Sequence, residues 1–359
     1  MKKVLQVLGS LQRGGAETMI MNVYREIDRK QIQFDFLVKE RVENGYEQEV
    51  EALGGKIICI SSPKKLGALS YFVQVKNVIE TNGPYCAVHS HMNVISGLIM
   101  FVSFFAGINN RISHSHSTQF QNPVLVNIIG KLLIKFFSTK KVACGEKAGK
   151  ALFGNSKFTI LQNGIDTKNY LVSSEAERCQ LRKKLGFNES SFQICHIGRF
   201  VDVKNHRFIV ELADKLVREN FSCQIHLLGD GENLEQIKNL AQEKGLNNIT
   251  FYGSINNVVD YLQASDIFIL PSKYEGVPLT VIEAQCSKLF CILSDRIPKE
   301  VDFNIGLTKY LPLESQLWAE EIINYKENKI SIPNNILIEA INKTGFDIHN
   351  SAKKIVNLY

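Results

Sequence analysis

Residues 264–284, ASDIFILPSKYEGVPLTVIEA, carry the reading that decides the fold. Positions 266–270 form a short β-rich apolar run closed by Pro271 and Ser272, which reads as a buried strand. Pro278 cannot occupy a helix interior but suits a first turn, and Leu279, Ile282 and Cys286 follow at helical spacing. The segment is therefore a strand, a loop carrying Glu275 and Gly276, and a helix N-terminus whose unpaired amides face that loop. Such a corner suits an anion, and a diphosphate fits it. Glu283 stands eight residues beyond Glu275, on the second helical turn. There it can reach the vicinal hydroxyls of a ribose or hexose. A carboxylate near a helix start also serves simply as a partner of the helix dipole, so spacing alone leaves both readings open.

Outward from this segment the chain repeats the same grammar. Strands are expected at 4–8, 34–38, 56–60, 87–89, 111–114 and 141–143, then at 192–197, 224–228, 248–252, 266–270 and 290–293. Helical patterns fall between them, near 15–28, 45–53, 67–81, 93–106, 124–138 and 145–152, then 204–219, 233–244, 256–263 and 278–287. Alternating strands and helices imply an α/β chain with parallel sheets, and 359 residues suffice for two domains. A break at Asn163-Gly-Ile-Asp166 precedes a polar stretch. This places a first domain at 1–168 and a second at 169–345, with residues 346–359 packing back on the first. In doubly wound folds ligands bind beyond the carboxyl ends of the strands, so two such domains are expected to face each other across a cleft.

Composition narrows the class. The chain is 45% hydrophobic and 22% charged, as in a soluble globular protein. Its eight cysteines show no C-x-x-C pairs. Several, including Cys59, Cys195 and Cys291, lie in apolar runs and read as buried thiols of a reducing compartment. Residues 1–10 read as a first strand and not a leader, and no apolar run reaches membrane-spanning length, so a cytoplasmic location is expected. The net charge of +6 is uneven: residues 1–165 carry 20 Lys and Arg against 11 Asp and Glu, whereas residues 166–359 carry 22 against 25. A basic first half implies an acidic partner. No aromatic–basic interleaving points to nucleic acid. Residues 124–137, VLVNIIGKLLIKFF, with Lys131, Lys135, Lys140 and Lys141, have the pattern of a helix lying at an anionic membrane surface, or of a core helix with a solvated lysine edge.

Other chemistry-bearing positions sit where strands should end. Gly14-Gly15-Ala-Glu17 follows the first strand, and its small residues permit close backbone approach to a phosphate or sugar; the G-x-G-x-x-G spacing of a dinucleotide dehydrogenase is absent. Arg199 and Lys204 follow the strand at 192–197 and can neutralise a departing diphosphate. Gly229 and Gly253 end the next two strands, as turn formers or nucleotide contacts. His89-Ser-His91 and His114-Ser-His116 end two first-domain strands, where an imidazole can contact a sugar or assist a hydroxyl. Each pair lies on one strand face without a third ligand, so no metal site is expected. No D-x-D occurs, which fits an enzyme that needs no metal and in which cations and helix amides take that electrostatic role.

These motifs together resemble the retaining glycosyltransferases of family four, capsule and exopolysaccharide branch. The resemblance rests on the strand at 265–272, the Tyr274-Glu-Gly turn with Glu283, Gly198-Arg-x-x-x-x-Lys-Asn205, the G-G-A-E loop, the paired histidines and Asn163-Gly-Ile-Asp166. It implies the GT-B fold, two Rossmann-like domains with the acceptor in the first and a nucleotide-diphosphate sugar in the second. It also implies transfer of a hexose to a hydroxyl, on a saccharide that the basic half suggests is lipid-linked, with retention through an oxocarbenium-like transition state. Arg199 and Lys204 would stabilise the leaving phosphate, Glu275 orient the sugar and Glu283 hold the ribose. Gly14, Gly15, Gly276 and Val277 would border the donor, and His91 and His116 the acceptor, with His116 in the active site. A nucleotide-sugar epimerase of the same fold and a non-catalytic partner in polysaccharide assembly are the alternatives. Lys288 and Phe290 depart from the Gly and Pro usual after the helix; a Lys ends a helix in the left-handed conformation only at a cost.

Overall fold

Parallel strands buried on both faces need near-continuous apolar runs, and this chain supplies two sets of them. The computed structural model describes residues 1–43, 45–118, 120, 122–162, 164–170, 174–255 and 257–359. The break expected at 163–166 and the polar stretch after it thus fall partly outside the described residues, at Asn163 and at 171–173, as does Asn256. The chain divides into two compact units, Met1–Ile165 with Gly345–Tyr359, and Asp166–Thr344. The expected boundary stood at 168/169.

The first unit holds strands β1 (Lys2–Val7), β2 (Ile32–Val38), β3 (Ile57–Cys59), β4 (Ala87–Ser90), β5 (Asn110–Ser115), β6 (Lys140–Ala143) and β7 (Thr159–Ile160). They form one parallel sheet in the order β3-β2-β1-β4-β5-β6-β7. The second unit holds β8 (Phe192–Ile197), β9 (Cys223–Leu228), β10 (Ile249–Gly253), β11 (Ile267–Leu270), β12 (Phe290–Ser294) and β13 (Thr308–Leu311), parallel in the order β10-β9-β8-β11-β12-β13. The expected strands sit within a residue or two of these. Two were missed: β7 is only two residues long, and β13, TKYL, is a half-exposed edge without an apolar run. Four helices were also missed, Pro63–Leu66, Glu175–Leu185, Ser315–Glu327 and Asn334–Thr344.

In each sheet the winding reverses beside the first strand, between β1 and β4 and between β8 and β11. A crevice opens at the carboxyl ends of such a strand pair. The Gly9–Gly15 loop and the His89 pair stand at the first, and the loops at 198–205 and 271–278 at the second.

Packing follows the apolar faces. Tyr24, Phe34 and Phe36 fill one side of the first sheet, and the helix Ile348–Val356 packs on Gly15–Glu26 there, its Asp347 side chain capping the Asn350 amide. In the second unit Trp318 is fully buried edge-on to Phe208. Phe290 is a core residue whose ring stacks on Tyr325 at 4.3 Å. Lys288 has φ +59°, and the bonds Lys288 N–H to Gln285 and Leu289 N–H to Ala284 close the helix end, so the lysine does take the left-handed cap. Cys59 corrects the expectation of buried thiols: β3 is an edge strand, and Cys59 is exposed, as is Cys179.

Candidate active site

The second unit brings most of the expected donor residues to one corner. The loop after β8 runs through Gly198 and exposed Arg199 into a helical turn at Asp202–Lys204. Asn205, at φ +60°, then turns the chain into the helix His206–Arg218. The loop after β11 lies against it: Asn205 Nδ2 donates to the Pro271 carbonyl at 3.2 Å and the Lys273 amide to Val203 at 2.8 Å. Across this seam Lys204 Nζ donates to Glu275 Oε1 at 2.6 Å, with the two side chains 18% and 14% exposed. A partly desolvated pair is stiffer than a surface one, so Lys204 is held at the loop where an anion is expected.

Gly229 and Gly231 belong to the same corner for a steric reason. With φ +139°, a Cβ on Gly229 would lie 2.1 Å from the Gly198 oxygen; with φ +156°, one on Gly231 would lie 2.5 Å from that of Phe200. The two loops therefore touch backbone to backbone, and the Gly229 amide donates to Gly253 O at 2.8 Å. Gly198, Gly229 and Gly253 thus end three adjacent strands. Asp230, nearest to the missing D-x-D, spends Oδ1 on the Gly231 amide.

Pro278 stands just before the helix Leu279–Cys286, at its N-cap with extended backbone, not inside its first turn. Gly276 and Val277 are partly exposed beside it. Glu283 is 7% exposed. Burial pushes its carboxyl up to about 7, against a hydrogen bond from Tyr170 that lowers it. Tyr170 was not singled out in the sequence because it lies outside the motif, in a short helical turn at Thr167–Tyr170. Nor were the hydroxyls of Ser272 and Thr280, which are buried at this corner without a partner among the described residues. Buried hydroxyls of that kind are unspent hydrogen-bonding capacity.

The remaining expected residues stand in the first unit. Gly14 is the N-cap of Gly15–Glu26, and its missing Cβ makes room for the Glu17 carboxyl, which would lie 2.6 Å from it; burial raises that carboxyl's pKa. Gly15 is exposed, with open space where a Cβ would stand. His89, His91, His114 and His116 form one cluster on the face covered by Tyr359. His91 Nδ1 and His116 Nε2 are 2.8 Å apart, and His89 Nε2 and His114 Nδ1 3.2 Å. Burial, then His116, takes His89 down to about 3; burial takes His116 to about 3 and is the largest cause holding His91 and His114 well below 6.5. The third imidazole that the sequence did not reveal is present: ring nitrogens of His89, His91 and His114 lie within 4.8 Å of one another, a spacing that can hold an ion. The strand pairing brings it there, since β4 and β5 are neighbours in register. The group contains no carboxylate, and bonds among the four neutral rings account for half of their nitrogens.

One surface feature also belongs to the first unit. The helix Val124–Phe137 buries Gly130 and Ile134 yet leaves Val124 75%, Leu125 67%, Ile128 52% and Phe136 72% exposed. It sits so close to the helix Ser96–Phe105 that a Cβ on Gly97 would lie 2.3 Å from the Gly130 oxygen. This glycine contact docks the helix through a narrow stripe and leaves the rest of its apolar side in solvent. Exposed Phe104 and Phe105 continue the patch, and Phe72 joins it to a neighbouring helix that exposes Leu69 and Val73. Among the described residues no helix is long and apolar enough to cross a membrane.

Residues 177–341 match the family described as glycosyl transferases group 1. The putative glycosyltransferase EpsF of Bacillus subtilis is 34% identical over all of this chain and 96% of its own length. A capsular polysaccharide biosynthesis glycosyltransferase, CapH of Staphylococcus aureus, is 27% identical over all of this chain and 99% of its own. The crystal structure of Anabaena Alr3699/HepE in complex with UDP-glucose superposes with a TM-score of 0.82 at 18% identity, covering 99% of each chain, which shows the shared GT-B fold. The chain belongs to the group 1 glycosyltransferases.

Proposed function

We propose that this group 1 glycosyltransferase moves a hexose from a nucleotide-diphosphate sugar to a hydroxyl of a lipid-linked saccharide, with retention and without a metal, in capsular or exopolysaccharide synthesis. The observation that carries the reading is the Lys204–Glu275 pair, 2.6 Å across a seam of two strand-end loops, with Arg199 exposed on the same loop as Lys204. A diphosphate entering there meets Lys204 and Arg199 as counter-charges, which stabilise it as it leaves. Lys204 then shares its ammonium between phosphate and Glu275, and the carboxylate is freed to orient the sugar hydroxyls. Glu283, partnered by Tyr170, accepts the ribose hydroxyls. Gly229 and Gly253 admit the nucleotide to the backbone, and Gly276 and Val277 border the sugar. In the first unit Gly14 and Gly15 offer amides, and His91 and His116 receive the acceptor. CapH is named for capsule synthesis, and HepE holds UDP-glucose in its crystal; both agree with this substrate class.

A lipid-linked acceptor is supported by the exposed apolar patch around Val124–Phe137 and its basic surroundings. Residues 52–165 carry 12 Lys and Arg against Glu80 and Glu146 alone. An apolar face with a cationic rim suits an anionic bilayer surface, which would place the enzyme peripherally at the cytoplasmic side.

The test is a thermal-shift panel of UDP-, GDP- and ADP-sugars, followed by transfer assays with the stabilising donor in the presence of EDTA. An α-linked product from an α-linked donor, formed with chelator present, is expected. Release of a free epimer without acceptor would turn the reading to an epimerase; donor binding with no turnover on any lipid-linked acceptor would turn it to a non-catalytic partner.

A further inference from the structure

Two chemically different ends emerge from the hydrogen bonds around Gln6. In β1, Gln6 is fully buried and lies beside His89 in the register. Its Nε2 donates to the Tyr359 hydroxyl at 2.8 Å, and its Oε1 faces His91 Nε2 at 3.1 Å. An amide oxygen only accepts, so His91 carries its proton on Nε2. A neutral imidazole then has a bare Nδ1, which accepts from His116 Nε2 at 2.8 Å. His116 is thereby left with a bare Nδ1. On the other branch the Tyr359 oxygen already accepts from Gln6, so its O–H is free to donate to His89 Nδ1 at 2.8 Å. His89 Nε2–H donates to His114 Nδ1 at 3.2 Å, and His114 is left with a protonated Nε2.

The two nitrogens at which these chains stop, His116 Nδ1 and His114 Nε2, are buried and lack a partner among the described residues. Their rings are 4.1 Å apart between centroids. One is an acceptor and the other a donor, and a hydroxyl group is the ligand that answers both. We propose that Gln6 and Tyr359 are positioning residues that fix the histidine tautomers, so that His116 offers a bare Nδ1 and His114 an N–H to a substrate hydroxyl. The proposal rests on the reading of His116 as an active-site residue. It explains why the cluster needs four rings: two face the hydroxyl and two transmit the orientation set by one amide. A buried acceptor without a partner costs stability, and a substrate hydroxyl would repay that cost only when bound.

Nitrogen NMR of histidine-labelled enzyme, assigned by single substitutions, reads each tautomer directly. In the unsubstituted protein His116 is expected as the Nε2–H form and His114 likewise. Tyr359→Phe should mix the tautomers of His89 and His114 and leave His116 fixed. Gln6→Met should release His91 and His116, and lower the transfer rate about tenfold, the value of one good hydrogen bond, with donor affinity unchanged. A proton on His116 Nδ1 in the unsubstituted enzyme overturns the proposal, even if Gln6→Met fails to fold, and so does a His116 spectrum that Gln6→Met leaves unaltered. Fixed tautomers in a protein that transfers no sugar would overturn the functional reading and leave the wiring standing.

Discussion

Glu283 sits where the proposed donor site conflicts with stability, and the conflict can be measured. The side chain is 7% exposed, and burial raises its pKa from the ordinary 4.5 to about 7 in spite of the Tyr170 hydrogen bond. Because the folded value lies above the unfolded one, the native state keeps a proton between about pH 4.5 and 7 that the unfolded chain has lost. Stability therefore falls as pH rises through that window. Above it the whole cost is present, about 3 kcal/mol at 1.36 kcal/mol per pKa unit. Glu283→Gln preserves shape and cannot ionise. At pH 8 it should stabilise the second unit by up to about 3 kcal/mol; at pH 4 it should change little. Trp318 is the chain's single tryptophan and is buried in that unit, so its fluorescence during urea unfolding is the assay. The same substitution should weaken nucleotide-sugar binding at pH 8 at least about tenfold, since a carboxylate accepts ribose hydroxyls more strongly than an amide. An equal stability change at both pH values would refute the pKa argument, and unchanged binding would remove Glu283 from the donor site.

Three further outcomes are expected. Lys204→Ala should lower turnover by about 10²–10³, as loss of a group that stabilises developing charge does, while costing only about 1 kcal/mol because its ion pair is partly solvated; unaltered turnover would exclude Lys204 from the chemistry. Lys288→Gly should stabilise the Trp318-reported transition by about 1 kcal/mol, the cost of a left-handed non-glycine residue, with kinetics unchanged; a loss of stability would mean that the lysine side chain matters more than its φ of +59°. The combined variant Leu125→Glu, Ile128→Glu and Phe136→Glu should abolish sedimentation with vesicles containing anionic lipid and preserve soluble-donor binding. Continued sedimentation would refute the membrane face.

Some of the site was legible because the signal is local. The apolar run at 267–270, Pro278 and the spacing of Leu279, Ile282 and Cys286 place a strand, a loop and a helix without reference to distant residues. Lys288 likewise announced its helix end. Other parts were not legible. Residues Thr308–Leu311 form a strand only because β12 offers an edge to pair with. Cys59 shares the apolar neighbours of a buried thiol and is exposed because β3 ends its sheet. Tyr170 meets Glu283 from outside the motif, and Gln6 meets His91 from 85 residues away.

The sequence by itself determined the α/β alternation, the two sets of strands and which residues stand at strand ends, since periodicity and turn chemistry act over a few residues. Only the tertiary structure decided which strand ends are neighbours, because strand order is set by packing between elements far apart in the chain. That order pairs Lys204 with Glu275 and gathers four histidines around the reach of Gln6 and Tyr359. It also docks the helix Val124–Phe137 through a glycine contact too narrow to cover its apolar side, leaving exposed what the sequence pattern alone could equally have placed in a core.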